Sequence, residues 1–425
     1  MRIELITIGD ELLLGFTVDT NGAHVARELG AVGVEIVRRT SVGDRADDIA
    51  AAVGEAIGRT GAVITTGGLG PTSDDLTKPA IAALFGRAMR FDPSIYAGLE
   101  ARWAARPQWG KMPAANRQQA YIPEGASILD NQHGSAPGIW LEDEHGRWVA
   151  MLPGVPREMR GMLADHIVPR VSRLVAATAS GAEIVVRSRT IRTVGIGESA
   201  LAALLGDLAE GTGGFPLAYL PGAGGVDLRL TARGLPSTEA NERLAGAVAR
   251  LRERIGRFVY GEGSDDLAAI VLAACRERTL TIAVGESCTG GVVGARLTAV
   301  PGSSDVFMGG VIAYDNRVKE SLLGVPDAEI RAEGAVSEPV ARALALGARS
   351  RVGADIGIGV TGVAGPGGGT PEKPVGTVWI AVAGPGRTPP IPAQTRGTML
   401  VGDREEIRQR AAQIALDMVR QSVAG

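Results

Sequence analysis

Cysteine and histidine are scarce in this sequence, and their scarcity excludes two common structural devices. Only Cys275 and Cys288 occur among the 425 residues, so a framework of disulfide bonds does not hold the chain together. No CxxC pair accompanies a cluster of histidines, which excludes the usual structural zinc site. The last of the four histidines is His166, and the final third of the chain therefore contains no imidazole.

Long apolar runs and a strong excess of one charge are also missing. No uncharged apolar stretch reaches the roughly 18 residues that a membrane helix needs. Acidic residues lie inside the apolar amino-terminal stretch, unlike in a secretory leader. The net charge of −3 does not supply the cationic surface that nucleic-acid binding requires. We therefore expect a cytoplasmic protein with no membrane segment and no general affinity for nucleic acid.

The sequence does contain alternating strand and helix patterns, which predict an α/β fold with parallel sheets in its first and last parts. Short apolar runs at 3–8, 62–66, 280–284 and 355–360 predict buried strands, and further strands are predicted at 310–314 and 375–383. Ile49, Val53 and Ile57 recur every four residues and mark the buried face of a helix. Many of the 60 glycines lie in loops after these apolar runs, where backbone approaches small ligands.

The character of the sequence changes between residues 171 and 256. Strands rich in β-branched residues are predicted at 184–193 and 226–232, and helices at 199–208 and 237–255. We predict three domains: an α/β domain at 1–170, a small α+β domain at 171–256 and a second α/β domain at 257–425. The stretch 112–156 is expected to be rich in loops, because glycine and proline punctuate it.

Two glycine-rich loops in the last domain follow predicted strands: GESCTGG at 285–291 and TGVAGPGGGT at 361–370. In the first loop a glycine-flanked serine precedes a helix, so a hydroxyl and free backbone N–H groups are expected at a positive helix end that binds phosphate or an oxyanion. A helix merely capped by serine or threonine explains the same local sequence equally well. Two such loops at neighbouring strand ends favour a phosphorylated small ligand.

Ser287 is the candidate nucleophile, and the lack of histidine limits what can activate it. A Ser–His–Asp triad cannot be built within this domain. Lys319 and Tyr314 remain as bases, since burial or a nearby cation can lower the pKa of a lysine. The alternatives are a solvated surface lysine and an aromatic core residue. Cys288 is a rival nucleophile, but without a local histidine it is more typical of a small buried cysteine.

Four longer motifs cover nearly all of residues 265–418: GESCTGG, LTAVPGSSDVFMGGVIAYDNRVKESLLGV, GAVSEPVA and DIGIGVTGVAGPGGGTPEKPVGTVWIAVA. They resemble the carboxy-terminal amidase domain of the competence/damage-inducible protein A (CinA) family. The resemblance implies hydrolysis of nicotinamide mononucleotide to nicotinic acid mononucleotide and ammonia, without a cofactor. It implies Ser287 as nucleophile, Lys319 as base, and Tyr314 and Thr361 as supporting polar groups. The other residues that it implies in substrate binding are Gly285, Thr289, Gly290, Gly291, Asn316, Gly362, Gly365, Arg404 and Arg408.

Arg404 and Arg408 lie four residues apart, on one face of a predicted helix. Either arginine is expected to contact the substrate phosphate, and the sequence does not decide between them.

In the first domain a glycine-rich turn joins paired acids in TGGLGPTSDDLT, residues 66–77. Glycines let backbone approach a phosphate, while Asp74 and Asp75, together with Asp10 and Glu11 after another strand, are candidates to hold a divalent cation. The alternative for such acids is a solvated turn or a helix cap.

This turn, with GDELLLGFTVDTN and MPAANRQQAYIPEG, resembles the molybdopterin-binding fold and the amino-terminal domain of the CinA family. The resemblance implies metal-dependent hydrolysis of ADP-ribose to AMP and ribose 5-phosphate. Relatives often have an acid directly after DDLT, whereas Lys78 and Pro79 follow here. The nucleotide-binding residues that the resemblance implies are Thr66, Gly67, Gly68, Gly70, Asn116, Gly134, Pro153 and Glu158.

The middle domain resembles the KH-type module of the full-length family, and residues 222–225 satisfy its GXXG pattern. Because this segment leads toward a strand and no aromatic platform accompanies it, we predict a hairpin loop or a dimer contact and not an RNA site. The leading hypothesis is a homodimeric, bifunctional enzyme of pyridine-nucleotide recycling. The alternatives are a nucleotide- or pterin-binding protein that acts in DNA uptake or repair through partners, and a molybdopterin-handling enzyme.

Overall fold

A computed structural model of the protein describes residues 1–106, 108, 110–178, 184–222, 224–384 and 394–424. The chain divides into two units. The first contains Met1–Arg187 and Ala232–Glu242, and the second contains Ser188–Thr231 and Arg243–Gly425.

A six-stranded sheet forms the centre of the first unit. Its strands are β1 (Arg2–Ile8), β2 (Glu35–Val42), β3 (Ala62–Thr66), β6 (Ser127–Leu129), β7 (Gly138–Glu142) and β8 (Trp148–Leu152), and β4 (Met89–Phe91) and β5 (Tyr121–Pro123) form a separate pair. The strand order is β2-β1-β3-β8-β7-β6. The first four strands in this order pair in parallel, whereas β7 is antiparallel to both of its neighbours.

Two apolar cores form around this sheet. Side chains on the two faces of β1 enter different cores. Ile3 and Leu5 belong to the first core, and Ile6 and Ile8 belong to the second. The predicted face of α3, with Ile49 and Val53 fully buried, packs into the second core and is confirmed. The helices are α1 (Asp10–Leu13), α2 (Thr20–Ala31), α3 (Ala46–Thr60), α4 (Thr77–Leu84), α5 (Pro93–Ala104), α6 (Pro156–Met162) and α7 (Val168–Thr178).

The stretch 112–156 was expected to be rich in loops, and loops do separate its short elements, but its strands were not predicted. It contains a 3₁₀ helix at Ala114–Ala120 and four strands, one of which, β8, lies inside the main sheet. Its strands have only three to five residues each, so they leave little periodicity to recognise among the glycines and prolines.

The middle part of the chain forms a five-stranded sheet with order β10-β11-β12-β9-β13. The strands are β9 (Ile184–Thr193), β10 (Gly211–Thr212), β11 (Phe215–Gly222), β12 (Gly225–Pro236) and β13 (Val259–Glu262), with helices α8 (Glu198–Leu205) and α9 (Ser237–Ile255). Gly222 and Gly225, the two ends of the GXXG segment, pair with each other where β11 leads into β12, and Ala223 lies outside the described residues. The predicted hairpin is therefore confirmed.

The last part of the chain forms a second α/β layer structure. Its strands are β14 (Ile282–Glu286), β15 (Phe307–Ile312), β16 (Ile356–Gly362), β17 (Thr377–Ala383) and β18 (Gln394–Met399). Its helices are α10 (Leu267–Glu277), α11 (Val292–Thr298), α12 (Asn316–Leu323), α13 (Asp327–Glu333), α14 (Glu338–Val352) and α15 (Arg404–Ala424). No helix in the described ranges combines the length and apolar character of a membrane span.

The order of this sheet is β15-β14-β16-β17-β18, and β14 is parallel to both of its neighbours. Glu286 pairs with Ile312 and with Val360, so the carboxyl ends of the three parallel strands meet at one edge. β17 and β18 are antiparallel additions, and β18 was not predicted.

Candidate functional site

The carboxyl edge of the three parallel strands brings together three predicted residues. Ser287 directly follows β14, Tyr314 follows β15, and Thr361 lies near the end of β16. The backbone N–H of Ser287 donates to the carbonyl of Val360 at 2.9 Å, which fixes the serine loop to the neighbouring strand. The buried hydroxyl of Thr361 donates to the carbonyl of Ala335 at 2.7 Å and holds the following loop.

Lys319 is buried, which excludes the alternative of a solvated surface lysine. Only 2% of it is exposed, and its Nζ donates to the carbonyl of Tyr314 at 3.0 Å and to Oδ1 of Asn316 at 3.3 Å. Burial lowers the pKa of Lys319, although Asp315 and Cys288 oppose that shift. Within the described part of the chain, no carboxylate lies in hydrogen-bond contact with this amine.

Ser287 and Lys319 do not touch each other directly. Ser287 is 8% exposed, and among the described residues no hydrogen bond joins its Oγ to the amine. Proton transfer between them requires an intervening water or a substrate that draws the groups together.

Cys288 is the small buried cysteine that the sequence predicted. It is 6% exposed and belongs to the main apolar core of this sheet. Burial raises the pKa of its thiol to about 12, so the thiol remains protonated at neutral pH. The rival nucleophile is therefore poorly activated.

The start of α11 was expected to offer free N–H groups, and this prediction is wrong. The carboxylate of Glu286, 1% exposed, accepts hydrogen bonds from the amides of Gly291 at 2.9 Å, Val293 at 3.2 Å and Gly294 at 2.9 Å. A phosphate cannot bind at this helix end, because its donors are used and the carboxylate repels it. Sequence reasoning missed this role of Glu286, although its place just before the helix was a visible signal.

We expect Glu286→Ala to lower the free energy of unfolding of the second unit by roughly 2–4 kcal/mol, because three amides lose their acceptor. Glu286→Gln retains a carbonyl oxygen and should lose roughly half as much. Urea denaturation measures both losses. A loss below roughly 0.5 kcal/mol in the alanine variant would show that the contacts contribute little.

Two other amides of the serine loop remain outside this cap. Those of Cys288 and Thr289 donate to no backbone carbonyl among the described residues. The amide of Gly290 donates to the carbonyl of Ser287 at 3.1 Å. The hydroxyl of Thr289 is fully buried and has no partner among the residues described, as expected for a group that awaits a ligand or water.

The predicted glycines of the site have mainly structural roles. A side chain at Gly285 or Gly362 would come within 3.0 Å of a neighbouring backbone oxygen. Gly290 and Gly291 have φ values of 59° and 98°, which other residues rarely adopt.

Arg404 links the helix α15 to two loops of the site. It donates from Nη1 to the carbonyl of Gly365 at 2.6 Å and from Nη2 to the hydroxyl of Tyr314 at 2.9 Å. Tyr314 is 61% exposed, which excludes the alternative of an aromatic core residue. Both partners of Arg404 are neutral, so its positive charge stays available.

Arg408 has a different environment. Its Nε and Nη2 donate to the carbonyl of Thr289 at 3.1 and 2.9 Å, which fixes the serine loop. Its Nη1 pairs with Glu405 at 2.7 Å, so much of its charge is already neutralised.

A cavity of about 1030 Å³ in the same unit lies elsewhere. It is lined by residues of α12, α13 and α14, including Glu329, Arg342 and Arg349, and by none of the predicted site residues. Its size alone does not make it the active site, because nothing in its lining combines a nucleophile with a base.

In the first unit, predicted residues meet at the carboxyl edge of β3 and β8. Thr66 ends β3, Gly67 and Gly68 follow it, and Pro153 follows β8. A side chain on Gly67 would lie 2.1 Å from the carbonyl oxygen of Ile8, so only glycine fits where the strands end. The prediction that this glycine-rich turn directly follows a strand is therefore confirmed.

Asn21 is a polar residue at the same edge that sequence reasoning missed. Its Nδ2 donates to the carbonyl of Gly154 at 2.7 Å, while its Oδ1 is buried and has no partner in the described part of the chain. The hydroxyl of Thr65 is buried in the same way. Unpaired buried polar atoms are rare, and they indicate a place for a ligand or water.

Asp75 stabilises the glycine-rich loop from within. Its carboxylate accepts from the amide of Gly70 at 2.6 Å, and from the amide and hydroxyl of Thr72 at 2.8 and 2.5 Å. Both oxygens are therefore engaged. Asp74 is exposed, and the hydroxyl of Thr72 lowers the pKa of its carboxyl group.

Asp10 and Glu11 lie near an acid that the sequence did not suggest. Asp44 accepts from the amide of Asp10 at 2.9 Å, and burial together with Asp10, Glu11 and Asp74 raises the pKa of Asp44. Among the described residues, no three acidic, histidine or cysteine side chains converge with the spacing of a metal cage. These side chains do not fit a divalent ion held by the protein alone.

Lys78 occupies the position where relatives often have an acid. Its Nζ donates to the carbonyls of Gln118 at 2.9 Å and Gln119 at 3.1 Å, and it is almost fully buried. Burial lowers the pKa of Lys78 to about 8. The loop after the paired acids thus contributes a cation and not a further metal ligand.

Gly134 and Glu158 come together at a cavity of about 680 Å³. A side chain on Gly134 would lie 1.9 Å from the carboxyl carbon of Glu158, so the glycine permits their contact. Arg102 and Arg157 also line this cavity. Asn116 is buried in the 3₁₀ helix, and no described hydrogen bond joins it to the Gly67 turn.

Comparison with known proteins identifies the parts of the chain. Three family profiles match in sequence order: "Probable molybdopterin binding domain" at 4–173, "Damage-inducible protein CinA KH domain" at 188–261 and "CinA C-terminal domain" at 264–423. A CinA-like protein of Gemmatimonas aurantiaca is 62% identical over 425 residues, which are 100% of this chain and 97% of that protein. The chain belongs to the CinA family.

A second relative and a solved structure are also similar to this chain. A CinA-like protein of Prochlorococcus marinus is 44% identical over 96% of this chain and 94% of its own length. The solved structure of the competence/damage inducible protein CihA from Agrobacterium tumefaciens shares 34% identity over 37% of this chain and 94% of that one, with a TM-score of 0.36. The predicted order of a molybdopterin-binding-like, a KH-like and a CinA domain is confirmed.

Proposed function

We propose that the second unit hydrolyses the carboxamide of nicotinamide mononucleotide, with Ser287 as nucleophile and Lys319 as base. The hydrogen bonding of Lys319 carries this proposal. A neutral amine has two N–H donors and one lone pair. The two acceptors around Lys319 match the two donors and leave the lone pair for the proton of Ser287. Burial of the amine favours this neutral form.

The reaction is an acyl transfer in two halves. The Oγ of Ser287 attacks the carboxamide carbon as its proton passes to Lys319, and a tetrahedral oxyanion forms. Collapse of this intermediate breaks the C–N bond, and ammonia leaves with the proton that Lys319 returns. Water then cleaves the ester on Ser287, with Lys319 again as base, and releases the carboxylate product.

The surroundings of the two residues support binding of the remaining substrate groups. Because Glu286 occupies the start of α11, the oxyanion is left with the amides of Cys288 and Thr289 as donors in this loop. Arg404 has neutral partners only among the described residues, so we assign the phosphate to Arg404 and a loop-fixing role to Arg408.

Incubation of the full chain with nicotinamide mononucleotide tests the proposed reaction. Equal amounts of ammonia and nicotinic acid mononucleotide are expected. Binding of the nucleotide without release of ammonia would favour the alternative of a nucleotide- or pterin-binding protein that acts through partners.

As a second candidate activity, we propose hydrolysis of ADP-ribose to AMP and ribose 5-phosphate in the first unit. The cavity of about 680 Å³ that is lined by Arg102 and Arg157 favours a phosphorylated ligand, because both guanidinium groups can bind phosphate oxygens. A divalent metal would neutralise phosphate charge, but the carboxylates do not form a cage for it. We therefore assign no reaction step to a metal.

We expect the full chain to release AMP from ADP-ribose, and Gly134→Ala to slow this release at least about tenfold, because the new methyl group displaces Glu158. Chromatography of AMP, without metal and with magnesium, manganese or cobalt, measures the rates. Gly58→Ala is the control, since a methyl group there meets no atom within 4 Å. Absence of AMP under every condition would retire this second activity.

A further inference from the structure

The hairpin turn of the KH-like sheet borders a cavity of about 360 Å³ within the second unit. One wall is formed by residues 194–198, between β9 and α8, and by the turn around Gly222 and Gly225. The facing wall is formed by β18 and α15. This cavity is separate from the Ser287 site, because none of its lining residues belongs to that site.

Two arginines give this cavity a positive lining. Arg396 on β18 has neither a hydrogen bond nor an ion pair within the described ranges. Arg410 on α15 donates to the carbonyl of Val401, but its Nε is buried and has no described partner.

Nearby acids compensate for part of this positive charge. Glu198 also lines the cavity, and Glu406 lies 3.9 Å from Arg410. Burial raises the pKa of the carboxyl group of Asp417, and the charge of Arg396 acts to lower it.

Gln413 adds a donor of fixed orientation. It is 3% exposed, and its Oε1 accepts a hydrogen bond from Arg296. The other terminal atom of the Gln413 side chain is therefore the nitrogen. This Nε2 lies close to Gly224 at the cavity wall. Because an amide nitrogen can only donate, a ligand acceptor is the matching partner.

Glycine backbone completes the opposite wall. Gly195 has a φ of 75°, and a methyl group there would lie 3.5 Å from the guanidinium of Arg396. At Gly225 a side chain would collide with the carbonyl of Thr193 at 2.1 Å. Glycine at position 195 thus lets the main chain approach the guanidinium of Arg396, as in many phosphate sites.

We propose that this cavity binds a small organic phosphate of mononucleotide size. The guanidinium groups of Arg396 and Arg410 and the amide of Gln413 meet the phosphate. The apolar side chains of Ile196, Leu400 and Ile414, which line the remainder, contact the organic part. The proposal does not depend on the amidase reaction.

Calorimetric titration of the full chain with AMP and with inorganic phosphate tests this site. AMP should bind, and inorganic phosphate should bind more weakly because it lacks the organic part. Arg396→Gln and Arg410→Gln should each weaken AMP binding at least about tenfold, since each removes a charged donor. Arg396→Lys should recover part of the affinity, which distinguishes loss of charge from loss of folding.

Two controls separate this cavity from other sites. Arg331→Gln removes an exposed arginine of the same unit, and Ser287→Ala removes the hydroxyl group of the serine loop. Both should leave AMP binding unchanged. If AMP bound instead to a site in the first unit, Arg396→Gln and Arg410→Gln would leave its affinity unchanged. The proposal would be overturned if Arg396→Gln and Arg410→Gln bound AMP with the affinity and stoichiometry of the wild type. It would also be overturned if the wild type did not bind AMP.

Discussion

Ser287→Ala is expected to lower the release of ammonia from nicotinamide mononucleotide by at least about three orders of magnitude. The variant retains the loop, because the contacts that fix it use the backbone of Ser287 and the side chain of Glu286. It loses the oxygen that we propose attacks the carboxamide. Initial rates of ammonia release, with melting temperature as a check on folding, measure the effect.

Cys288→Ala is the matched control for this experiment. The thiol is buried and its pKa is raised to about 12, so its removal should change the rate only a few-fold through packing. If Ser287→Ala kept near-normal turnover while Cys288→Ala abolished it, the nucleophile would be the thiol.

Lys319→Met should lower kcat/KM by about three orders of magnitude, because it removes the base and nearly preserves the volume of the side chain. A lysine accepts a proton only when it is neutral. Activity of the wild type should therefore rise with pH as Lys319 loses its proton, and fall at lower pH. Burial lowers the pKa of Lys319 from 10.5, so the rise should occur at a lower pH than for an exposed lysine.

The pH profile distinguishes a base from a packing residue. The small residual activity of Lys319→Met should lack the rise with pH that depends on the amine. Lys111→Met, at an exposed position of the first unit, should retain both the rate and the profile. A Lys319→Met variant with the wild-type profile would exclude Lys319 as the base, whatever its rate.

Elements with long or regular patterns were predictable from the sequence. The observed bounds of β3, β9 and α12 agree with the ranges predicted from the sequence. Gly324 ends α12 in the left-handed conformation, as expected. The position of Ser287 directly after a strand was also predictable, whereas the roles of Ser287 and Lys319 stay predictions. The serine loop lies beside the end of β16 because parallel strands bring their carboxyl ends to one edge of the sheet.

Contacts between distant residues were not predictable. Glu286 lies beside the nucleophile in the sequence, but its role depends on the direction in which α11 leaves the loop. The choice between Arg404 and Arg408 depends on their partners, a tyrosine hydroxyl and a glutamate. Asn21 is far in sequence from Gly154, and only the sheet brings them together.

A crystal structure of the Lys319→Met variant with nicotinamide mononucleotide tests the central claim most directly. This variant keeps Ser287 and should bind the substrate without turning it over. We expect the carboxamide carbon within about 3.5 Å of the Oγ of Ser287, and the phosphate on Arg404. A carboxamide that lies far from Ser287, or faces Cys288 instead, would contradict this account of the site.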